Sequence, residues 1–100
     1  MIKVIVEKEK INIIGHSDYD DLGKDIVCSA VSSILVTTVN AIYKLSEKSI
    51  SYIRDDENNM STIIIKKKDE ITSKLLENMI ELLKSLEKDY PKNINVKESL

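Results

Sequence analysis

Apolar and polar residues alternate from Ile2 to Val6, with Ile2, Val4 and Val6 on one side and Lys3 on the other. That period of two predicts a half-buried strand. A second apolar run, Ile11 to Ile14, follows the polar stretch Glu7-Lys8-Glu9-Lys10. The pair reads as a hairpin whose turn type no Asn-Gly or Asp-Gly fixes. From Asp25 to Leu45 the chain is too long for a strand, and Val27, Val31, Leu35, Val39 and Ile42 fall at helical spacing. Ala30, Ile34 and Ala41 widen the stripe. The β-branched content is high for a helix, so length decides the assignment. Ser29, Ser32, Ser33 and Thr37 on the outer positions suggest a packed face, and a subunit interface is one partner for it. Ile50 to Arg54 and Ser61 to Lys67 read as strands joined by the turn Asp55-Asp56-Glu57-Asn58-Asn59. Asp69 to Tyr90 is the clearest helix: Ile71, Leu75, Leu76, Met79, Ile80, Leu83 and Leu86 form one stripe opposite Glu and Lys. Pro91 ends it. Ile94 to Lys97 predicts a last short strand.

The order strand, strand, helix, strand, strand, helix, strand implies an α+β fold, a two-layer sandwich of a mostly antiparallel sheet with two helices on one face. At 100 residues the chain is one domain spanning 1–100. Hydrophobic residues at 42% and charged residues at 32% fit a soluble globular protein rather than a disordered tail. The N-terminus reads as a strand and not as a signal peptide, and the longest apolar stretch is broken by Ser, Thr and Asn. No membrane association and a cytoplasmic location follow.

One cysteine excludes an internal disulfide, and one cysteine with one histidine falls short of a structural zinc site. No metal and no cofactor are expected. A net charge of -2 argues against a direct nucleic-acid partner. Lys66, Lys67 and Lys68 form the basic cluster, at a strand end where a solvated edge explains them. An RNA-binding sheet is disfavoured too, because Phe and Trp are absent and the strands offer only Tyr52 for stacking.

Chemistry concentrates between residues 15 and 32. His16 follows the second strand, beside Gly15, which lets the chain leave the sheet sharply. Gly23 closes the loop, Asp25 is placed as N-cap of the first helix, and Cys28 falls near its third position. Helix-start N–H groups and the dipole favour a thiolate there, and a nearby imidazole can take the thiol proton. The competing reading is a buried structural cysteine in a non-enzymatic interaction module.

The string Gly15-His16, then Gly23, then Asp25-Ile26-Val27-Cys28-Ser29-Ala30-Val31-Ser32 resembles the signature of the ribosomal-processing cysteine protease family, with eleven residues between His16 and Cys28. Val39-Asn40-Ala41-Ile42 and Leu75-Leu76-Glu77-Asn78-Met79 are similar to that family as well. Ser17, Ser29, Asn58 and Asn59 depart from it, as small or turn-compatible changes. The resemblance implies a peptidase that removes an N-terminal extension from the large-subunit ribosomal protein L-twenty-seven, cutting after an aromatic-containing motif. Cys28 would then be the nucleophile and His16 the general base, with Gly15, Gly23 and Asp25 in support. Asp18, Tyr19, Asp20, Asp21 and Leu22 are the candidate substrate-binding residues, the aspartates attracting a basic ribosomal protein precursor. A homodimer through the first helix is the expected assembly.

Overall fold

The computed structural model describes residues 1–15 and 22–99. Its elements run β1 Ile2–Glu7, β2 Lys10–Ile14, α1 Leu22–Leu45, β3 Ile50–Asp55, β4 Met60–Ile65, α2 Glu70–Asp89 and β5 Ile94–Ser99. The five strands form one sheet in the order β3-β4-β2-β1-β5. Every pairing is antiparallel except β1 with β5, which is parallel. The expected α+β sandwich is therefore observed.

Alternation sets the faces. Ile2, Val4 and Val6 of β1, Ile11 and Ile13 of β2, Ile63 of β4 and Ile94 of β5 are buried on one side of the sheet. Val27, Val31, Leu35, Val39 and Ile42 of α1 and Leu76, Met79 and Leu83 of α2 join them in one core. Burying each such aliphatic side chain contributes about 1.5–3 kcal/mol.

Helix α2 starts as its sequence demands. Asp69 is extended (φ -73°, ψ 169°) and its Oδ1 accepts the Thr72 N–H at 2.8 Å, an N-cap satisfying one of the free first-turn donors. Its other carboxylate oxygen accepts the Ser46 hydroxyl, which ties the cap to the end of α1. Thr72 is buried, and its hydroxyl donates to Ser49 Oγ at 2.6 Å. The helices also cover the sheet edges. Tyr43 of α1 accepts the Tyr52 N–H of β3 at 2.9 Å, and Glu87 of α2 accepts the Val96 N–H of β5 at 2.7 Å. Edge N–H groups left open would invite pairing with another chain.

Helix α1 begins three residues before the expected start. Asp25 is thus the fourth helical residue rather than the N-cap, and Gly23 lies inside the helix rather than closing a loop. Helix propensity disfavours Gly, which is why the boundary was misplaced. Strand β4 ends at Ile65 instead of Lys67, since Lys66 and Lys67 direct their N–H groups to Ser49 O, outside the ladder. The segment Ile26–Leu45 is long and apolar enough, by length and composition, to cross a bilayer. In the fold its valine and leucine stripe lies against the sheet. Its outer face carries Ser29, Ser33, Thr37 and Asn40, exposed, while Ser32 and Val36, also exposed, line a cleft beside the sheet.

Candidate active site

Cys28 stands on the core-facing side of α1, half-buried and reduced. It opens into a cleft of about 410 Å³ between α1 and the sheet. Val31, Ser32 and Leu35 continue the helical wall, which follows from spacings of three, four and seven residues from Cys28. The floor comes from Ile2 of β1 and Ile13 of β2, and the far wall from Tyr52, Arg54 and Ser61 of β3 and β4.

Gly15 lines the same cleft, one residue before His16 in the chain. It has φ +109°, in the region that L side chains avoid. Its N–H donates to Asn59 O at 2.9 Å, pinning the end of β2 to the β3–β4 turn. Asn59 itself has φ +49°, a left-handed position that Asn tolerates. A Cβ on Gly15 would lie 2.6 Å from Met1 O. The glycine is required by both its dihedral and its surroundings.

The far wall is a hydrogen-bonded group. Ser61 is 3% exposed, and its hydroxyl oxygen accepts Arg54 Nη1 at 3.0 Å and the Tyr52 hydroxyl at 3.2 Å. Arg54 Nε donates to Asp56 Oδ1 at 2.9 Å. Asp55 serves the turn instead: the Asn58 side-chain amide, and then the Asn58 N–H, hold its carboxyl below the ordinary carboxylate value.

Cys28 and Gly15 are thus lining residues of one cleft. His16, Asp18, Tyr19, Asp20 and Asp21 lie outside the described residues, and so do the side chains of Leu22 and Asp25. The expected activation of Cys28 by a helix start is corrected. Cys28 is the seventh residue of α1, where the α-helical pattern commits its N–H to a carbonyl four residues back. The dipole effect fades beyond the first turn. Neither an oxyanion donor at Cys28 itself nor strong dipole assistance is available there. Among the described residues, no group of three or more His, Cys, Asp or Glu could hold a metal.

Sequence reasoning missed Tyr52, Arg54, Ser61 and Ser32 as walls of the site. Ser32 was legible, being four residues from Cys28 on the same helical face. The other three were not, because the placement of the β3–β4 hairpin opposite Cys28 on α1 is a long-range property.

A family model described as Cysteine protease Prp matches residues 1–95. The ribosomal processing cysteine protease Prp of Staphylococcus aureus is 30% identical over 83 residues, spanning 82% of this chain and 78% of that protein. A crystal structure of an essential ribosomal processing protease Prp from S. aureus, in complex with a covalently linked product peptide, superposes with a TM-score of 0.88. That match is 26% identical and covers 99% of this chain and 100% of the other. A crystal structure from Streptococcus mutans gives 0.79 at 26% identity, covering 97% of this chain and 90% of the other.

Proposed function

The chain belongs to the cysteine protease Prp family, and from that premise we propose that Cys28 is its nucleophile and His16 its general base. The family makes it a cysteine peptidase rather than a non-enzymatic module. One observation carries the assignment to these residues: Cys28 and Gly15, the neighbour of His16, line a single cleft.

The reaction is acyl transfer. His16 removes the thiol proton, and the sulfur attacks the scissile carbonyl to form a tetrahedral oxyanion. As the C–N bond breaks, His16 returns the proton to the departing amine, leaving a thioester on Cys28. Water, deprotonated by His16, hydrolyses the thioester and restores the thiol. Because α1 starts at Leu22, its open first-turn N–H groups lie a turn before Cys28, and oxyanion stabilisation is supplied from outside Cys28's own amide. Asp25, the fourth residue of α1, supports the site, with Gly15 and Gly23 shaping the segment that joins His16 to Cys28.

The substrate is the N-terminal extension of the large-subunit ribosomal protein L-twenty-seven. The S. aureus relatives are described as ribosomal processing proteases, and one is bound to a covalently linked product peptide. Asp18, Asp20 and Asp21 attract the basic precursor, while Tyr19 and Leu22 receive aromatic side chains before the cut. The protein works in the cytoplasm as a homodimer formed through the small, uncharged outer face of α1. No nucleic acid, membrane, metal or cofactor takes part.

The test is digestion of the host's own precursor, with products identified by mass spectrometry. The parent releases one N-terminal fragment, and Cys28→Ala and His16→Ala release none while keeping the parent's circular dichroism. Continued cleavage by Cys28→Ala refutes the assignment. A precursor left intact by the active parent refutes the substrate.

A further inference from the structure

The cleft around Cys28 has an apolar floor and a helix side that is apolar except for Ser32, with a charged and polar corner on its far wall. That corner holds an unusual residue for this chain: of 15 basic residues, Arg54 alone is arginine. The two side chains differ in kind. Lys is a strongly hydrated point charge, whereas Arg presents a planar fork of donors matched to a carboxylate or carboxamide.

The structure holds that fork in place. Asp56 takes the Nε–H at 2.9 Å and the buried Ser61 hydroxyl takes one Nη1–H at 3.0 Å, itself braced by Tyr52 at 3.2 Å. A guanidinium has five N–H donors, so the second Nη1–H and both Nη2–H groups remain without a partner among the described residues. The side chain is 42% exposed while lining the cleft. It is fixed from behind and open in front.

We propose that Arg54 is a specificity-determining residue: its outward N–H groups receive one substrate side chain ending in a carboxylate or carboxamide oxygen. The carboxylate binds more tightly. The inference rests on the reading that the scissile peptide lies beside Cys28 in this cleft. An extended peptide there sends alternate side chains to opposite sides. Those reaching Ile2, Ile13, Val31 or Leu35 meet apolar walls, and the one reaching Arg54 meets donors. Asp56 already offsets part of the charge and water reaches the pair, so the preference is modest, about three- to tenfold.

The experiment uses the host's precursor junction as a peptide, with each residue before the cut replaced in turn by Glu, Gln, Ala or Lys. At one position the parent ranks kcat/KM as Glu, then Gln, then Ala, then Lys. Arg54→Gln brings the Glu-to-Lys ratio at that position close to one and leaves the other positions ranked as before. Arg54→Lys keeps Glu above Lys but loses ground on Gln, because the fork is gone; this variant carries the test should Arg54→Gln fold poorly. No ranked position in the parent, or an unchanged ratio in Arg54→Gln, overturns the inference. A uniform loss across all peptides also overturns it, since Arg54 would then hold main chain. Cleavage of the same peptides by Cys28→Ala marks the separate failure of the nucleophile assignment.

Discussion

Gly15→Ala probes the joint between sheet and active site. At φ +109° an L residue pays backbone strain of about 1–3 kcal/mol. The new Cβ would also sit 2.6 Å from Met1 O, an overpacking that adds about 1–3 kcal/mol. Met1 cannot simply retreat: the next residue, Ile2, is 4% exposed and its N–H is bonded to Asn93 O at 2.9 Å. Nor can Gly15 rotate freely, because its own N–H is held by Asn59 O at 2.9 Å. The expected destabilisation is therefore about 2–6 kcal/mol, where each kcal/mol lowers Tm by about 4–8 °C in a domain of this size. Thermal unfolding followed by circular dichroism should show a fall on the order of 10 °C or more. Peptide cleavage, measured at a temperature where the variant is still folded, should fall as well, because relief of the strain re-aims the peptide leading to His16. A Tm within about 3 °C of the parent with unchanged kcat/KM would refute both parts of the reasoning.

Asp69 should contribute to the acid limb of stability. The Ser46 hydroxyl first, and then the Thr72 N–H, lower its pKa from 3.8. A lowered folded pKa stabilises the protein above the unfolded value, and that contribution is lost as pH falls through the folded one. Asp69→Asn should flatten the Tm profile below about pH 4 relative to the parent; superimposable acid limbs would count against it. The homodimer should appear by light scattering at twice the 11.4 kDa chain mass, and Asn40→Glu, an exposed position on the outer face of α1, should shift it toward monomer. A monomer in the parent at high micromolar concentration removes the α1 interface.

Much of the fold was legible because its signals are local. Seven elements appear in the expected order, since period-two and period-3.6 stripes record which face each segment buries. Asp69 and Pro91 mark the ends of α2 by the chemistry of a cap and of a missing N–H. The start of α1 was misplaced for a local reason as well: Asp25 has the composition of an N-cap, and Gly23 that of a breaker, yet both are helical. What local signals cannot carry is pairing. Nothing in Ile94 to Ser99 announces a parallel partner, and β1 joins β5 only after two helices have been laid across the sheet. The active-site cleft divides along the same line. Its helical wall descends from Cys28 by steps of three and four residues, so Val31 and Ser32 could be read from the chain. Its far wall exists because Arg54 is opposite Ser61 in the β3–β4 ladder and Tyr52 is two residues from Arg54 on the same face. A shift of one residue in that register would turn Arg54 to the outer face and bring Ile53 into its place. The proposed nucleophile is thus written in one segment, while the arginine across the cleft from it is written in the pairing of two others, and a substrate preference built on Arg54 would change without any change around Cys28.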